Sequence, residues 1–285
     1  MSGDRVRRNI TIKYRLYPTP EQAALFEKTF SCCRWIWNAI LSDEQEFFAA
    51  ADRHYLPTPA KYKKGAPFLK EADSQALITA HQNLRRAFQD FFDGKSGYPQ
   101  FKRKCSRDAY TVYCHHYETS PDSIYVNDVG VRLPKAGLVR ADMHRKPLHW
   151  WTLKSATVSR SRDGKYYCSV HFGYEERPPE PVKPEHVGTF RQPDTPAYIV
   201  KAEQRLDVME QKLRRMLPGS RNYEAQQRRI ARQREHIANQ KIDHAHKETR
   251  RLADAYDAVE AGEADTRLRE KLRYKLERQG KTLIE

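Results

Sequence analysis

The stretch NITIKYRLYPTPEQAALFEKTF, residues 9–30, decides the fold because a strand pattern changes into a helix pattern within it. Residues 9–17 alternate apolar and polar side chains and include β-branched and aromatic residues, which predicts a strand. Thr19 is then placed to cap a helix, with Pro20 at the first helical position and Glu21 in the positive first turn. The chain therefore mixes both element types.

Two amphipathic helices are predicted after this boundary. Apolar residues recur mostly three and four positions apart from Leu25 to Leu41, and again from Leu77 to Phe92. A proline-containing loop separates the two patterns, and the second helix is predicted to begin near Ser74. Each helix should bury one face.

Residues 109–174 return to the alternation of strands, and Asp163-Gly164 is a hairpin signal between two of them. Closely spaced strands of this kind predict a small barrel or curled sheet, which the N-terminal strand could join. The two helices would then be an insertion. The segment EERPPEPVKP, residues 175–184, is the clearest domain boundary.

Beyond this linker lies a short strand pattern, HVGTF at residues 186–190, which Pro193 and Pro196 interrupt. Two long helices follow, predicted to pack as an antiparallel hairpin around residues 218–220. Their polar faces carry arginines with few acids nearby, which favours a polyanion partner over a merely solvated face. These arginines are Arg214, Arg215, Arg221, Arg228, Arg229, Arg232 and Arg234.

The composition supports a nucleic-acid partner. The 285 residues suffice for two or three packed units, and 52 basic against 37 acidic side chains give a net charge of +15. A ribosomal or membrane-surface protein would share this balance. The sequence has no apolar run of the roughly 18 residues that a membrane helix needs, and its start lacks the apolar core of a signal peptide, so we expect a cytoplasmic, nucleoid-associated protein with no membrane partner.

The cysteines do not indicate a metal centre, because the five of them include no C-x-x-C pair. The run Cys114-His115-His116 looks like a ligand cluster, but adjacent strand residues point to opposite faces and cannot close one tetrahedral site alone. We interpret these residues as polar strand positions that contact phosphate. No metal and no cofactor are expected.

Residues 98–104, YPQFKRK, place aromatic rings beside cations around a proline that resists helix formation. Such a loop suits a nucleic-acid backbone, with cations on phosphates and rings on sugars or bases. A solvated basic linker is an equally good interpretation of the composition.

Several segments, taken in order, resemble the TnpB proteins, transposon-encoded RNA-guided nucleases related to type V CRISPR effectors. The segments are YRLYPTPEQAALFEKTFSCCRWIWNAIL (14–41), YPQFK (98–102), VRLPKAG (131–137), the helical hairpin of 201–223, and RYK with GKTLI (273–275 and 280–284). The likeness covers nearly the whole chain, and the ordered set is far more specific than any one motif.

The resemblance also implies that this chain lacks catalytic carboxylates that the family has. In the family, the motif V-G-I-D-L-G begins a RuvC-type nuclease domain, and its Asp is the first of three carboxylates that hold two metal ions. Phe190 stands at that position here, and Glu260 is the vestige of the second carboxylate. The chain ends before the family's zinc ribbon and third Asp. We therefore expect a protein that is not an enzyme, with no catalytic residues, no catalytic metal and no zinc ribbon, similar to the TnpB-like nuclease-dead repressors (TldR).

The expected fold is α+β. It comprises a wedge-like β-barrel of residues 1–18 plus 105–180, a helical recognition insertion of 19–104, and a truncated RuvC-like domain of 185–285 dominated by the helical hairpin. The expected function is RNA-guided DNA binding beside a short flanking motif, with repression of transcription by blocking polymerase. The partners would be a guide RNA and target double-stranded DNA, in a monomeric ribonucleoprotein.

Site roles follow from the resemblance and the patterns together. Flanking-motif recognition is assigned to Ser74, Gln75, Ile78, Tyr55 and Thr111, with Ile78 suited to a thymine methyl. Backbone contact is assigned to Arg34, Trp35, Tyr98, Gln100, Phe101, Lys102, Arg103 and Lys104, although core packing explains Trp35 equally well. Guide RNA or heteroduplex would contact Arg214, Arg215, Arg221, Arg228, Arg229 and Arg232.

Three alternatives remain open at this point. The first is an active nuclease whose metal ligands have been relocated, for example to Asp194 or Asp257. The second is a DNA-binding transcription factor that uses no RNA. The third is a decayed transposon product that folds poorly.

Overall fold

The computed structural model describes residues 5–104, 108–116 and 122–284 and shows an α+β protein. The chain divides into two compact units, one comprising Arg7–Tyr174 and the other including residues 175–284. The boundary falls at the start of the proline-rich segment 175–184. None of the helices in the described ranges is both long enough and apolar enough to cross a membrane.

A seven-stranded sheet forms the first unit's framework. Its strands, in the spatial order β2-β6-β7-β1-β5-β4-β3, are β1 (Val6–Tyr17), β2 (Ala109–Tyr113), β3 (Tyr125–Val126), β4 (Gly130–Leu133), β5 (Gly137–Ala141), β6 (Thr152–Arg160) and β7 (Tyr166–Glu176). The two edge strands, β2 and β3, are consecutive in sequence. Next to them, the Ser123 amide donates to the His115 carbonyl at 3.0 Å, which brings the two edges together. Closure into a barrel stays a prediction.

The helices of the first unit are α1 (Pro20–Ala51) and α2 (Ser74–Phe92). The Thr19 hydroxyl accepts from the Gln22 amide at 3.3 Å while the Gln22 side chain accepts from the Thr19 amide at 3.0 Å, which confirms the predicted start of α1. Asp73 caps α2 by accepting from the Gln75 amide at 2.8 Å. Apolar side chains of both helices share one core with the inner face of the sheet, including Phe26, Ile36, Ile40, Leu77, Leu84, Tyr14, Val112 and Val170.

The second unit combines three short parallel strands with three helices. Its elements are β8 (Val187–Phe190), α3 (Ala197–Arg214), α4 (Arg221–Ala255), β9 (Ala258–Ala261), α5 (Thr266–Glu277) and β10 (Thr282–Ile284), with the sheet order β10-β9-β8. The predicted hairpin of α3 and α4 is present. The Gln226 and Gln233 side chains of α4 each donate at 3.0 Å to a carbonyl of α3, that of Met209 and that of Ala202 respectively, so the helices run antiparallel.

The short strand β8 delivers a buried aromatic ring to this second unit. Phe190 is 1% exposed and packs in a cluster with Val259 of β9, Ala253 of α4 and Leu272 and Leu276 of α5. Two residues earlier, a Cβ atom on Gly188 would lie 2.5 Å from the Tyr256 ring. Position 188 therefore requires glycine, since any larger residue would displace that ring.

Candidate nucleic-acid interface

A cavity of about 190 Å³ lies where α1, α2 and β2 meet in the first unit. It brings together Arg34, Lys102 and Thr111, which the sequence analysis had assigned from three separate segments. The lining also includes Phe30, Cys33, Ala76, Thr79, Ala80, Asn83, Asp108, Ala109 and Tyr110. The lining thus mixes apolar, hydroxyl, amide and charged residues.

Asp108 organises the charged wall of the cavity. Its side chain is 8% exposed and accepts from Arg34 at 2.9 Å and from Arg160 at 2.5 Å. Arg160 also forms an ion pair with Glu27 at 2.8 Å. Arg34, predicted to contact a nucleic-acid backbone, therefore has an internal partner and shapes the wall of the cavity.

Replacing Asp108 by asparagine is expected to destabilise the first unit by about 2 kcal/mol, because a bond to a charged group of this kind contributes about 1.5–3 kcal/mol. The amide keeps the shape but leaves the partly buried Arg34 without its anion and Arg160 with Glu27 alone. Urea unfolding monitored by tryptophan fluorescence measures the change. The exposed pair of Lys28 and Glu71, 2.6 Å apart, supplies the control, since Glu71→Gln should cost below about 1 kcal/mol. Equal effects of the two substitutions would contradict this role of Asp108.

The basic aromatic loop of residues 98–104 is held against α1 by its backbone. The Trp37 indole N–H donates to the Gln100 carbonyl at 3.0 Å, and the Asn38 side chain bonds both the amide and the carbonyl of Lys102, at 2.8 and 3.0 Å. These contacts leave the side chains of Phe101, Arg103 and Lys104 exposed. A backbone fixed in this way presents its side chains outward without a large ordering cost on binding.

Lys102 is exposed as well, but its ammonium has a partner on α1. Its ammonium lies 3.7 Å from the centroid of the Trp37 ring, a cation–π contact, and burial lowers the pKa of the group. Lys102 also lines the cavity, together with Arg34.

Tyr98 and Trp35 are engaged within the protein. The Tyr98 hydroxyl donates to the buried Glu44 carboxylate at 2.7 Å, and burial together with this bond raises the pKa of Tyr98 to about 12. Trp35 packs edge-on against Tyr62 and Phe68 and keeps 38% of its surface exposed. Stacking of either ring on a base stays a prediction.

The residues assigned to motif recognition separate in the structure. Ser74 and Ile78 are exposed on α2, and Gln75 is half-buried between them. Tyr55 lies against Phe47 with ring centroids 5.3 Å apart, whereas Thr111 faces the cavity and hydrogen-bonds Thr157 at 2.8 Å. Of these five residues, only Thr111 lines the cavity.

The α2 residues that do line the cavity include Thr79 and Asn83, which the sequence analysis missed. The Thr79 hydroxyl donates to the Gln75 carbonyl at 2.8 Å and is therefore already used within α2. Of the two side chains, the exposed Asn83 amide is the more accessible to a ligand. Their spacing of four residues places both on one helix face, and this spacing is the sequence pattern that could have predicted them as site residues.

A second basic surface lies in the second unit, on α4. We define the α4 arginine face as Arg221, Arg228, Arg229 and Arg232, all of them exposed. Arg228 has a weak exposed partner, Glu224, at 3.7 Å. The other three make no ion pair within the described part of the chain, whereas other α4 arginines are paired, including Arg234 with Glu210, Arg250 with Asp254 and Arg251 with Glu248. Arg214 and Arg215 are exposed at the end of α3.

The two positions that the resemblance marks as vestigial do not face each other. Glu260 of β9 is in register with Thr189 of β8, and both are exposed. Phe190 is the next residue on β8, and neighbouring strand residues point to opposite faces. Phe190 therefore points into the core while Glu260 points to solvent.

The fold and these surfaces define a basic α+β protein with a cavity in its first unit and an exposed arginine face in its second. Two family models match it. One, described as the "Helix-turn-helix domain" of IS605 OrfB proteins, covers residues 8–52, which form most of β1 together with α1. The other, described as the "Probable transposase" of the same family, covers residues 191–267. Two segments of the chain therefore match models of the IS605 OrfB family, which supports the predicted resemblance to the TnpB proteins.

Curated relatives support this assignment. The chain is 26% identical over 268 residues to "Putative RNA-guided DNA endonuclease InsQ" of Escherichia coli (strain K12), with 86% of this chain and 63% of that protein covered. It is 27% identical over 260 residues to "Putative RNA-guided DNA endonuclease" of Streptomyces pristinaespiralis, with 84% and 63% covered. The chain thus spans less than two thirds of the length of these relatives.

A solved structure was also matched, the "Cryo-EM structure of the Cas12f1-sgRNA-target DNA complex". The match covers 97% of this chain and 84% of that chain, at 9% identity and a TM-score of 0.29. A score this low supports no conclusion about the fold.

The prediction that the protein is not an enzyme is wrong. Both relatives are named as RNA-guided DNA endonucleases, and the transposase model covers the segment that begins directly after Phe190. The prediction rested chiefly on Phe190, which stands where the family motif has its first carboxylate, and a missing side chain at one position does not determine the chemistry of a whole protein.

Proposed function

We propose that this chain is the nucleic-acid-binding part of an RNA-guided DNA-targeting protein. The observation that carries the proposal is the α4 arginine face, where three exposed guanidinium groups have no acidic partner in the described part of the chain. A protein with a net charge of +15 that leaves these cations unpaired is built to receive a polyanion. The names of the relatives make guide RNA and target DNA the polyanions to consider.

Each surface has a role in this proposal. The guide RNA pairs with one DNA strand, and the protein holds the resulting A-form duplex by its phosphates, which is a task for the α4 arginine face together with Arg214 and Arg215. The first-unit cavity contacts the DNA that flanks the paired segment, through the Asn83 amide, the Thr111 hydroxyl and the Lys102 ammonium. Ile78, 38% exposed on α2, suits the methyl group of thymine.

The proposal also covers the roles of the two structural units and the effect of DNA binding in the cell. The seven-stranded sheet acts as a wedge-like barrel carrying α1 and α2 as a recognition insertion, and the second unit is RuvC-like. DNA cleavage, which the names of the relatives state, is the activity to test for the whole protein. Stable binding at a promoter would in addition block polymerase and repress transcription. The protein would act as a monomeric ribonucleoprotein. Because its target is chromosomal DNA, it would be located in the nucleoid.

The test begins with the chain expressed together with its native flanking DNA. RNA that copurifies is sequenced, and DNA matching the end of that RNA is used for binding and for cleavage with Mg²⁺. We expect one discrete RNA, tight binding of the matched DNA only, and loss of that binding after RNase treatment. DNA with a scrambled match is the control. Binding that persists without RNA would instead identify a direct DNA-binding protein, and the guided function would be rejected.

A further inference from the structure

We propose that Cys114, His116 and Asp122 form a zinc site at the seam between the edge strands β2 and β3. One potential ligand atom from each of the three residues lies within 4.8 Å of the other two. Within the described ranges, this is the only group of three or more histidine, cysteine or carboxylate side chains so arranged. The inference is independent of the proposed function.

The backbone fixes the three residues beside one another. Cys114 and His116 are two positions apart just beyond the end of β2, and their ligand atoms lie within 4.8 Å of each other. The Cys114 amide donates to the Lys154 carbonyl at 2.8 Å. His115 and Ser123 are joined twice, through the Ser123 amide to the His115 carbonyl at 3.0 Å and through the His115 amide to the Ser123 hydroxyl at 2.8 Å. Asp122 is thereby held opposite the histidine.

The hydrogen bonds of His116 orient its ring for a metal. Nε2 lies 3.1 Å from the Leu153 carbonyl oxygen, which can only accept, so Nε2 carries the proton. A backbone carbonyl on the distal nitrogen is the usual arrangement for a metal-bound histidine. The remaining Nδ1 lies 2.9 Å from the Asp122 carboxylate. A lone pair and a carboxylate at this distance need a cation between them, either a second proton on the ring or a metal ion.

The thiol favours the metal. A protonated ring facing Asp122 would leave the Cys114 thiol out of that ion pair, donating to the Ile124 carbonyl at 3.4 Å beside the Ser123 hydroxyl. A zinc ion instead uses all three groups, because thiolate, imidazole and carboxylate are its preferred ligands and Mg²⁺ or Ca²⁺ takes oxygen alone. The thiol proton leaves to solvent on binding, and water fills the fourth tetrahedral position.

The ligand atoms of His116 and Asp122 need to move only slightly to fit a tetrahedral zinc ion. Zinc-to-nitrogen and zinc-to-oxygen bonds of about 2.0–2.2 Å in a tetrahedron place the two ligand atoms roughly 3.3 Å apart. The 2.9 Å contact of His116 with Asp122 needs to widen by only a few tenths of an ångström. The ion would then tie the two ends of the β2–β3 connection together and strengthen the seam of the sheet.

The test uses the full chain, stripped of metal by a chelator and then titrated with Co²⁺ and with Zn²⁺ against a chromophoric competitor. We expect about one ion per chain, an intense near-ultraviolet thiolate-to-cobalt band, and a rise in melting temperature on adding zinc. Cys114→Ser should abolish the band, and His116→Asn should weaken zinc binding by at least roughly 100-fold, the upper end of the loss seen for outer partners of a ligand.

His115→Asn provides the matched control, since it changes the neighbouring histidine, which supplies no ligand atom to the cluster. This variant should bind cobalt and zinc like the unchanged chain. Circular dichroism of the metal-free variants establishes that each one folds. If the unchanged chain binds zinc no more tightly than Cys114→Ser does, or if cobalt gives no thiolate band, the contact is an ordinary imidazolium–carboxylate pair and the zinc site is rejected.

Discussion

Replacing Arg221, Arg229 and Arg232 together by alanine is expected to weaken binding of the copurifying RNA by about 10- to 100-fold at physiological salt. Each of these guanidinium groups is exposed and has no ion-pair partner in the described ranges, so its whole charge is available to a phosphate. Three lost phosphate contacts should also reduce the slope of log K against log salt by about 2, since each contact to a single strand contributes about 0.7.

Filter binding or fluorescence anisotropy over a range of salt concentrations measures both quantities. The matched control is Arg234→Ala combined with Arg250→Ala and Arg251→Ala, which removes the same charge from the same helix. Those arginines are paired with Glu210, Asp254 and Glu248, at 2.7, 2.7 and 2.9 Å. If the control triple weakens RNA binding as much as the first triple, net charge alone is responsible and the α4 arginine face is not a specific surface.

The second large effect is on stability: Phe190→Ala should destabilise the second unit by about 3–5 kcal/mol, the usual cost of removing a buried phenyl group. Phe190 is 1% exposed, and the apolar side chains around it come from β9, α4 and α5. A cavity at this position would loosen four elements at once. Hydrogen exchange of the β8 and β9 amides is the suitable measurement, because it reports on this unit by itself.

The adjacent substitution Thr189→Ala is the control, since Thr189 is exposed on the same strand and its loss should change stability by less than about 0.5 kcal/mol. Both variants alter β8 and neither changes a helix. Protection of the β8 and β9 amides that is unchanged in Phe190→Ala would show that the ring does not support this core.

The sequence predicted elements more reliably than it predicted the site. The start of α1 was predictable because a capping box involves residues only three positions apart. The exposure of the α4 arginines was likewise predictable, since helical spacing separates them from the buried Ile230 and Ile237. Both features depend on residues that are close to each other in the sequence.

The cavity depended on contacts that no local pattern reports. Asp108 meets Arg34 and Arg160 across 74 and 52 residues of chain, so Arg34 shapes a wall although composition assigned it to phosphate. Tyr98 similarly has its hydroxyl bonded to a buried carboxylate 54 residues away. Asn83 entered the site unpredicted for the same reason, since only the packing of α2 beside β2 decides which of its exposed positions faces the cavity.

By itself, then, the sequence determined the α+β composition, the approximate helix and strand positions, the charge and the family resemblance. These follow from short-range periodicity, capping and an ordered set of motifs. The tertiary structure alone decided which cations are free for a ligand and which ones are paired, and it brought Asp122 to Cys114 and His116 across the seam of the sheet. Pairing between distant side chains depends on how the chain packs, because burial and distance, rather than residue type, determine whether two groups can interact.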